Sequence, residues 1–257
     1  MHQDISTKYL RYHDTRAPMA AMEADWPDGA STGWHSHPRT QLLYAIEGVM
    51  VVSSRDGCWV VPPDWALWLV AGLEHEVKMT GDVRMRTMFI DTAAIDGLPA
   101  STCVLGVSGL LRELVIAAVD MPGDYAEHSR ADLLMKLLAE ELRLSEALPL
   151  HLPLPRDERI RFICEHLLSY PDNTFTVAEW AERVEVTSKT VHRLFTRETG
   201  MSFVQWRDQA RLLFALRQIA NGRKIIDIAF ECGYASPSAF TAMFRRHFGV
   251  PPSSFYD

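Results

Sequence analysis

The sequence predicts a two-domain α+β protein. A small β-barrel runs into a helical hairpin, and an all-α domain follows in which one helix–turn–helix arrangement occurs twice. Three observations predict it. Short apolar and β-branched runs broken by turn residues fill residues 19–92. Helical periodicity replaces them from Leu110 onward. Finally, Pro149-Leu-His-Leu-Pro153-Leu-Pro155 divides the chain, because three prolines in seven residues disfavour helix and sheet alike and leave an extended connector. The domains read as residues 1–98 for the barrel, 99–148 for the hairpin, 149–155 for the connector and 156–257 for the helical domain.

The strands come first. Gln41–Ile46, Val49–Ser53, Cys58–Val61, Ala66–Val70 and Val83–Ile90 are brief runs of β-forming residues. Gly48, Arg55-Asp56-Gly57, Pro62-Pro63-Asp64, Gly72 and Gly81-Asp82 separate them as turns. Many short strands at even spacing favour a barrel or jelly roll. The hairpin helices then place Leu110, Leu111, Leu114, Val115, Ala118 and Val119 on one stripe, and Leu133, Leu134, Leu137, Leu138 and Leu142 on another. Those stripes serve to cover the barrel or to pair with a second copy of the chain.

Composition bounds the function. The chain has 257 residues, 47% of them hydrophobic and 23% charged, as in soluble globular proteins. Met1–Pro18 holds no apolar core of a secretion signal, and no run approaches membrane-spanning length. Four scattered cysteines without a C-x-x-C pair argue against a disulfide framework and fit a reducing cytoplasm. The net charge of −7 is uneven: residues 156–257 carry +2 and residues 1–155 carry −9. There is no P-loop, dinucleotide glycine fingerprint or nucleophile elbow.

In the C-terminal region, Arg156–Leu168 is a first helix, closed by Tyr170-Pro171-Asp172. Thr176 caps a short helix, with Glu179 completing a capping box. Glu185-Val186-Thr187 is a tight turn, and Thr187 or Ser188 caps the next helix, which Gly200 stops. That helix puts Val191, Leu194 and Phe195 on its inner side and Lys189, His192, Arg193 and Thr196 on its outer side. Long polar donors aimed one way suit base edges and phosphates. After a helix over Ser202–Ala220 the pattern repeats, with a short helix, the Cys232-Gly233-Tyr234 turn, and a helix capped by Ser236 or Ser238. The last helix turns Phe240, Met243 and Phe244 inward, and Ser238, Thr241, Ala242, Arg245 and Arg246 outward.

Asp227-Ile-Ala-Phe-Glu-Cys-Gly-Tyr234, Phe240-Thr-Ala-Met-Phe-Arg-Arg-His-Phe-Gly249 and Pro252-Ser-Ser-Phe255 resemble the C-terminal signature of AraC-type transcription regulators. Leu194-Phe195 and Glu198-Thr-Gly-Met-Ser-Phe203 are similar to that family's first unit. The resemblance implies double-stranded promoter DNA as a partner, with RNA polymerase and a small-molecule effector beside it and a homodimer as the assembly. It implies base contacts by Lys189, His192 and Arg193, then by Ser236, Ser238, Thr241 and Ala242, with Arg245 and Arg246 on phosphates. Ala242 replaces a long polar reader and Pro237 opens the helix, so the first unit is expected to carry more of the specificity.

The chemical cluster of the N-terminal region is His35-Ser-His37, Gln41 and Gly48. Alternation along a strand places residues 35, 37 and 41 on one face, and His75 comes from a neighbouring strand. Three imidazoles and an amide oxygen suit a divalent transition metal, Zn, Fe, Ni, Cu or Mn, although the same residues could line a metal-free ligand pocket. The spacing resembles the first cupin motif, with Gln41 where glutamate is usual. Ala71-Gly-Leu-Glu-His75 is similar to the second motif, with Val70 in place of proline. The resemblance implies a jelly-roll barrel. The leading reading is a regulator whose cupin-like domain senses a small ligand or metal, and which is not an enzyme. The rivals are a metal-dependent cupin enzyme with an appended DNA-binding-like domain, and a constitutive DNA binder whose barrel only dimerises.

Overall fold

The computed structural model describes Tyr12, residues 14–148 and residues 150–255. Pro149 and most of the Met1–Pro18 segment lie outside the described residues. The chain forms two compact units, one made of the chain through Ser54 with Trp59–His151, the other of Arg55–Cys58 with Leu152 onward.

Ten strands occur among the described residues: β1 Met19–Trp26, β2 Thr40–Ala45, β3 Val49–Ser54, β4 Gly57–Val61, β5 Trp65–Leu69, β6 His75–Thr80, β7 Val83–Ile90, β8 Cys103–Gly106, β9 Ala147–Leu148 and β10 His151–Pro153. They form a six-stranded sheet in the order β1-β7-β2-β5-β8-β9 and a four-stranded sheet in the order β10-β4-β3-β6. Four strands escape a reading of apolar runs. β1 and β6 mix charges among their apolar residues, while β8 and β9 fall inside the segment read as helical. The connector also forms β10, at a sheet edge where a proline removes no ladder hydrogen bond.

Every residue of β2 is buried, because the six-stranded sheet is covered on both faces. Leu42 and Tyr44 of β2, Ala66 and Trp68 of β5, and Met88 and Ile90 of β7 pack against two helices, α1 (Gly109–Ala118) and α2 (Arg130–Leu144). The alternate residues, Gln41, Leu43, Leu67, Leu69, Thr87 and Phe89, take the opposite face. Gly48 makes the β2–β3 turn at φ +79°, and a Cβ there would sit 2.5 Å from the Asp82 carbonyl oxygen. Only glycine fits.

The hairpin stripes need correction. Leu111, Leu114, Val115 and Ala118 are buried on α1, and Ala131, Met135, Leu138, Ala139 and Leu142 on α2. Leu110 points out, as do Leu133 and Leu137 at 58% and 45% exposure. Sequence spacing alone cannot separate adjacent rows of leucines. Met135, Leu138, Ala139 and Leu142 join the cluster that α1 makes with the sheet, and α2 packs chiefly on α1.

The second unit holds α3 (Glu158–Ser169), α4 (Val177–Arg183), α5 (Ser188–Thr199), α6 (Phe203–Ala220), α7 (Ile225–Glu231) and α8 (Pro237–Phe248). Thr176 caps α4 in a full capping box, and Ser202 caps α6 in another with Gln205. The helix α6 packs against α3, α5 and α7, while α4 pairs with α5 and α7 with α8. Around the first pair, Phe195 meets Phe203 and Trp206 edge-on at 5.5 and 6.3 Å, and Trp206 Nε1 donates to the Pro153 carbonyl at 2.8 Å. Around the second, Phe240, Phe244, Phe248 and Phe255 form an aromatic chain with centroid steps of 4.6 to 5.9 Å. No helix among the described residues is long and apolar enough to cross a membrane.

Candidate functional site

Two surfaces carry chemistry, one in each unit. In the helical unit, Thr187 rather than Ser188 caps α5, its hydroxyl accepting from Thr190 N at 3.2 Å. The buried side of α5 is Val191, Leu194, Phe195 and Thr199. Lys189, His192, Arg193 and Thr196 are all exposed. None of them enters an ion pair or side-chain hydrogen bond among the described residues. Arg197, one position on, is different, since its guanidinium forks onto Glu198 at 2.7 Å and 3.0 Å. Those hydrogen bonds, with one from the Arg156 amide, hold the Glu198 carboxyl below the usual carboxylate range.

On α8 the cap is Ser236, whose hydroxyl oxygen accepts from Ala239 N at 3.2 Å. One of its two lone pairs is thereby engaged within the protein, which leaves the proton and the second lone pair to offer outward. Ser238, Ala242, Arg245 and Arg246 are exposed and Thr241 is half-buried, while Phe240, Met243 and Phe244 face inward. Pro237 stands at the first helical position, where no amide hydrogen is needed. Both candidate reading rows thus lie opposite apolar stripes.

In the barrel unit, the ligand atoms of His35, His37 and His75 lie within 4.8 Å of one another. The route to this cluster differs from simple alternation. Residue 35 is outside β2, in an isolated bridge opposite His75, with His35 N to His75 O at 2.9 Å and His75 N to His35 O at 2.8 Å. The chain then loops, and Gly72 N donates to the His37 carbonyl at 2.8 Å before β2 begins at Thr40. So residues 35, 37 and 41 do not share one strand face. A bridge, a loop and a strand bring them inward separately.

The hydrogen bonds fix which atoms are available. His35 Nδ1 lies 2.9 Å from the Gly33 carbonyl and His75 Nδ1 lies 2.8 Å from the Leu73 carbonyl. A carbonyl can only accept, so each Nδ1 carries the proton and each Nε2 keeps its lone pair. Burial depresses both pKa values, that of His75 to about 4, so these rings are neutral at pH 7. His75 Nε2 is buried without a hydrogen-bond partner. The Thr87 hydroxyl donates to the Leu42 carbonyl at 3.1 Å and must therefore accept from Gln41 Nε2 at 3.0 Å. That orients the Gln41 amide and leaves its Oε1 buried and unpartnered. Gln41 lies opposite Phe89 across β2 and β7, and Phe89 stacks edge-on against His37 at 5.0 Å. Two buried acceptors without donors and neutral imidazoles of fixed tautomer fit a late divalent cation. Thr87 escaped the sequence reading because a lone strand threonine carries no signal.

A cupin-type barrel joined to a tandem of helix-turn-helix pairs defines a class, the two-domain regulators of transcription. Residues 22–91 match the cupin domain model, and residues 180–257 match a helix-turn-helix domain model. The chain is similar to the HTH-type transcriptional regulator NimR of Escherichia coli, at 30% identity over 221 residues, 86% of this chain and 81% of that protein. It is similar to the arabinose operon regulatory protein of E. coli at 29% identity over 143 residues, 55% of this chain and 48% of that one. Among solved structures, ToxT from Vibrio cholerae is aligned over 93% of this chain and 98% of its own, at 11% identity and a TM-score of 0.39. The chain belongs to the AraC-type family of helix-turn-helix transcription regulators.

Proposed function

We propose that the protein reads a specific site in double-stranded promoter DNA with α5 and α8, under control of a small effector bound by its cupin domain. One observation supports this above all. The row Lys189, His192, Arg193 and Thr196 stands out from α5 with no acidic partner among the described residues, while the opposite side of the helix is locked into the core. Arg193 and Lys189 are assigned to base edges with His192, and Thr196 to the flank. On α8, Ser236, Ser238, Thr241 and Ala242 face the second sub-site, and Arg245 and Arg246 hold phosphate.

In the barrel, His35, His37 and His75 with Gln41 would hold a divalent transition metal, which would supply a Lewis-acidic anchor for an effector donor atom. The protein's own contribution is to keep the imidazoles neutral and the Gln41 amide oxygen buried without a donor. Effector binding acts through a difference in its affinity for two arrangements of the protein. Outward leucines on α1 and α2 support a homodimer, and RNA polymerase is the partner through which a promoter-bound regulator acts. The histidine cluster is common to this reading and to a cupin enzyme. The paired helix-turn-helix units, with their exposed and unpaired donors, support the regulator, and the absence of turnover on small substrates by the metal-loaded protein is the outcome this reading expects.

The test is an electrophoretic mobility assay on duplexes enriched from a random pool, repeated over a salt series. Specific and random duplexes should differ by at least about 10³-fold in affinity. Equal affinity for both would end the reading.

A further inference from the structure

Arg211 is a buried cation in the middle of α6, 7% exposed, in a stretch that is otherwise apolar from Ala210 to Leu216. Its partners are carbonyl oxygens. Nε donates to Pro171 O at 2.8 Å and Nη2 donates to Asn173 O at 2.9 Å. Those carbonyls belong to the turn that leads from α3 into the first helix-turn-helix pair. The same guanidinium lies 5.6 Å from the Tyr234 ring centroid, and Cys232 Sγ donates back to the Arg211 carbonyl at 3.6 Å. Cys232 and Tyr234 flank Gly233 in the turn of the second pair. A Cβ on Gly233 would meet Asp172 O at 2.8 Å and Arg211 Nη2 at 2.9 Å, and its φ is +74°. Three segments thus converge on one guanidinium: the linking helix, the turn before the first pair and the turn within the second.

We infer that Arg211 and Gly233 form a joint that fixes the angle between α5 and α8, and with it the single spacing of sub-sites that the protein accepts on DNA. This rests on the reading above that both helices enter the major groove. Apolar packing of each pair on α6 is non-directional and allows sliding. A planar fork with two carbonyls in register does not. The glycine lets the two turns meet backbone to backbone, which ties one helix pair to the other directly. One inserted base pair shifts the second sub-site by about 3.4 Å and rotates it by about 34°. A locked joint cannot follow that movement. Arg211 is buried and is a positioning residue, acting only through the helices it aligns.

The experiment uses the full chain and a duplex that the wild-type protein enriches from a random pool, together with versions carrying one or two extra base pairs between the sub-sites. Wild type should lose ~30-fold or more in affinity on insertion, a penalty in the range of a lost set of base contacts. Arg211→Met should bind the parent duplex ~10-fold more weakly but pay less than ~3-fold for the insertion, with affinity for an isolated first sub-site unchanged. Arg211→Lys keeps the charge without the fork and should behave like Arg211→Met. Gly233→Ala supplies the same test from the other side of the joint, should Arg211→Met fail to melt cooperatively. Folded variants that keep the wild-type insertion penalty would overturn the inference, as would a wild-type protein indifferent to insertion. A wild-type protein that enriches no sequence at all would instead sink the reading of specific DNA binding.

Discussion

Replacing Arg193 with alanine isolates base reading from folding. Arg193 is exposed on α5 and has no side-chain partner among the described residues, so its loss should change unfolding stability by no more than about 0.5 kcal/mol. The outward row runs from Lys189 to Thr196, seven steps along the helix and so about 10 Å. That matches about three base pairs at 3.4 Å each, with Arg193 near its centre. A guanidinium that forks onto a guanine contributes about 1–3 kcal/mol of discrimination, or about 5- to 150-fold in affinity. The assay is a fluorescence anisotropy titration of wild type and Arg193→Ala on the enriched duplex, on every single-base variant of it, and on random duplex. Specific binding should weaken by that factor, random binding by much less, and discrimination should collapse at one base position only. If specific and random affinities fall by the same factor, Arg193 holds phosphate and the assignment of α5 as reader through this residue is wrong.

Further outcomes follow from the same geometry. Cobalt(II) titrated into the apo protein should develop d–d absorption that His75→Ala abolishes and that Thr87→Val shifts to ~10- to 100-fold higher metal concentration, because Thr87 orients the Gln41 amide; an unchanged titration for Thr87→Val would remove Gln41 from the ligand set. Leu133→Glu with Leu137→Glu should convert a sedimenting dimer to monomer while leaving the melting temperature nearly unchanged, since both side chains point outward. Phe195→Ala, at the centre of the first pair's core, should cost about 3–5 kcal/mol in urea unfolding. Burial pushes the Cys232 thiol up to about 12, so at pH 8 it should react with a disulfide reagent only as fast as the domain opens.

What was legible in the sequence follows from how local each signal is. The helix ends of the second unit were readable because caps are chosen by neighbours in sequence. Thr176 with Glu179 forms its capping box, and the glycine stop at residue 200 holds. Of the two candidate caps at each reading helix, Thr187 and Ser236 prevail. The inward stripe Val191, Leu194 and Phe195 was equally local, since its period is that of one helix. The hairpin failed for the opposite reason. Leu133 and Leu137 are as apolar as Leu138 and Leu142, and only the surface that α1 makes with the six-stranded sheet decides which row is buried. The histidine cluster lay between these cases. Its residues were visible as types, but the assembly depends on the bridge between residues 35 and 75, a contact forty residues apart. Arg211 and Gly233 were invisible as a pair for the same reason.

The net charge of −7 does not oppose DNA binding, because the field that a phosphate meets is local. At physiological ionic strength the screening length is about 8 Å, so acidic residues beyond that range contribute little. Within the helical unit, ion pairing sorts the cations. Arg159 is held by Asp157, Arg197 by Glu198 and Arg223 by Glu231. Lys189, Arg193, Arg245 and Arg246 are exposed and enter no ion pair among the described residues. With Lys189 and Arg193 on base edges and Arg245 and Arg246 on phosphates, two cation–phosphate contacts predict a slope of log affinity against log salt of about −2. Arg245→Ala should make that slope shallower by about one while preserving the ranking of base variants. A slope near zero would mean that these cations do not meet the duplex, whatever the charge of the rest of the chain.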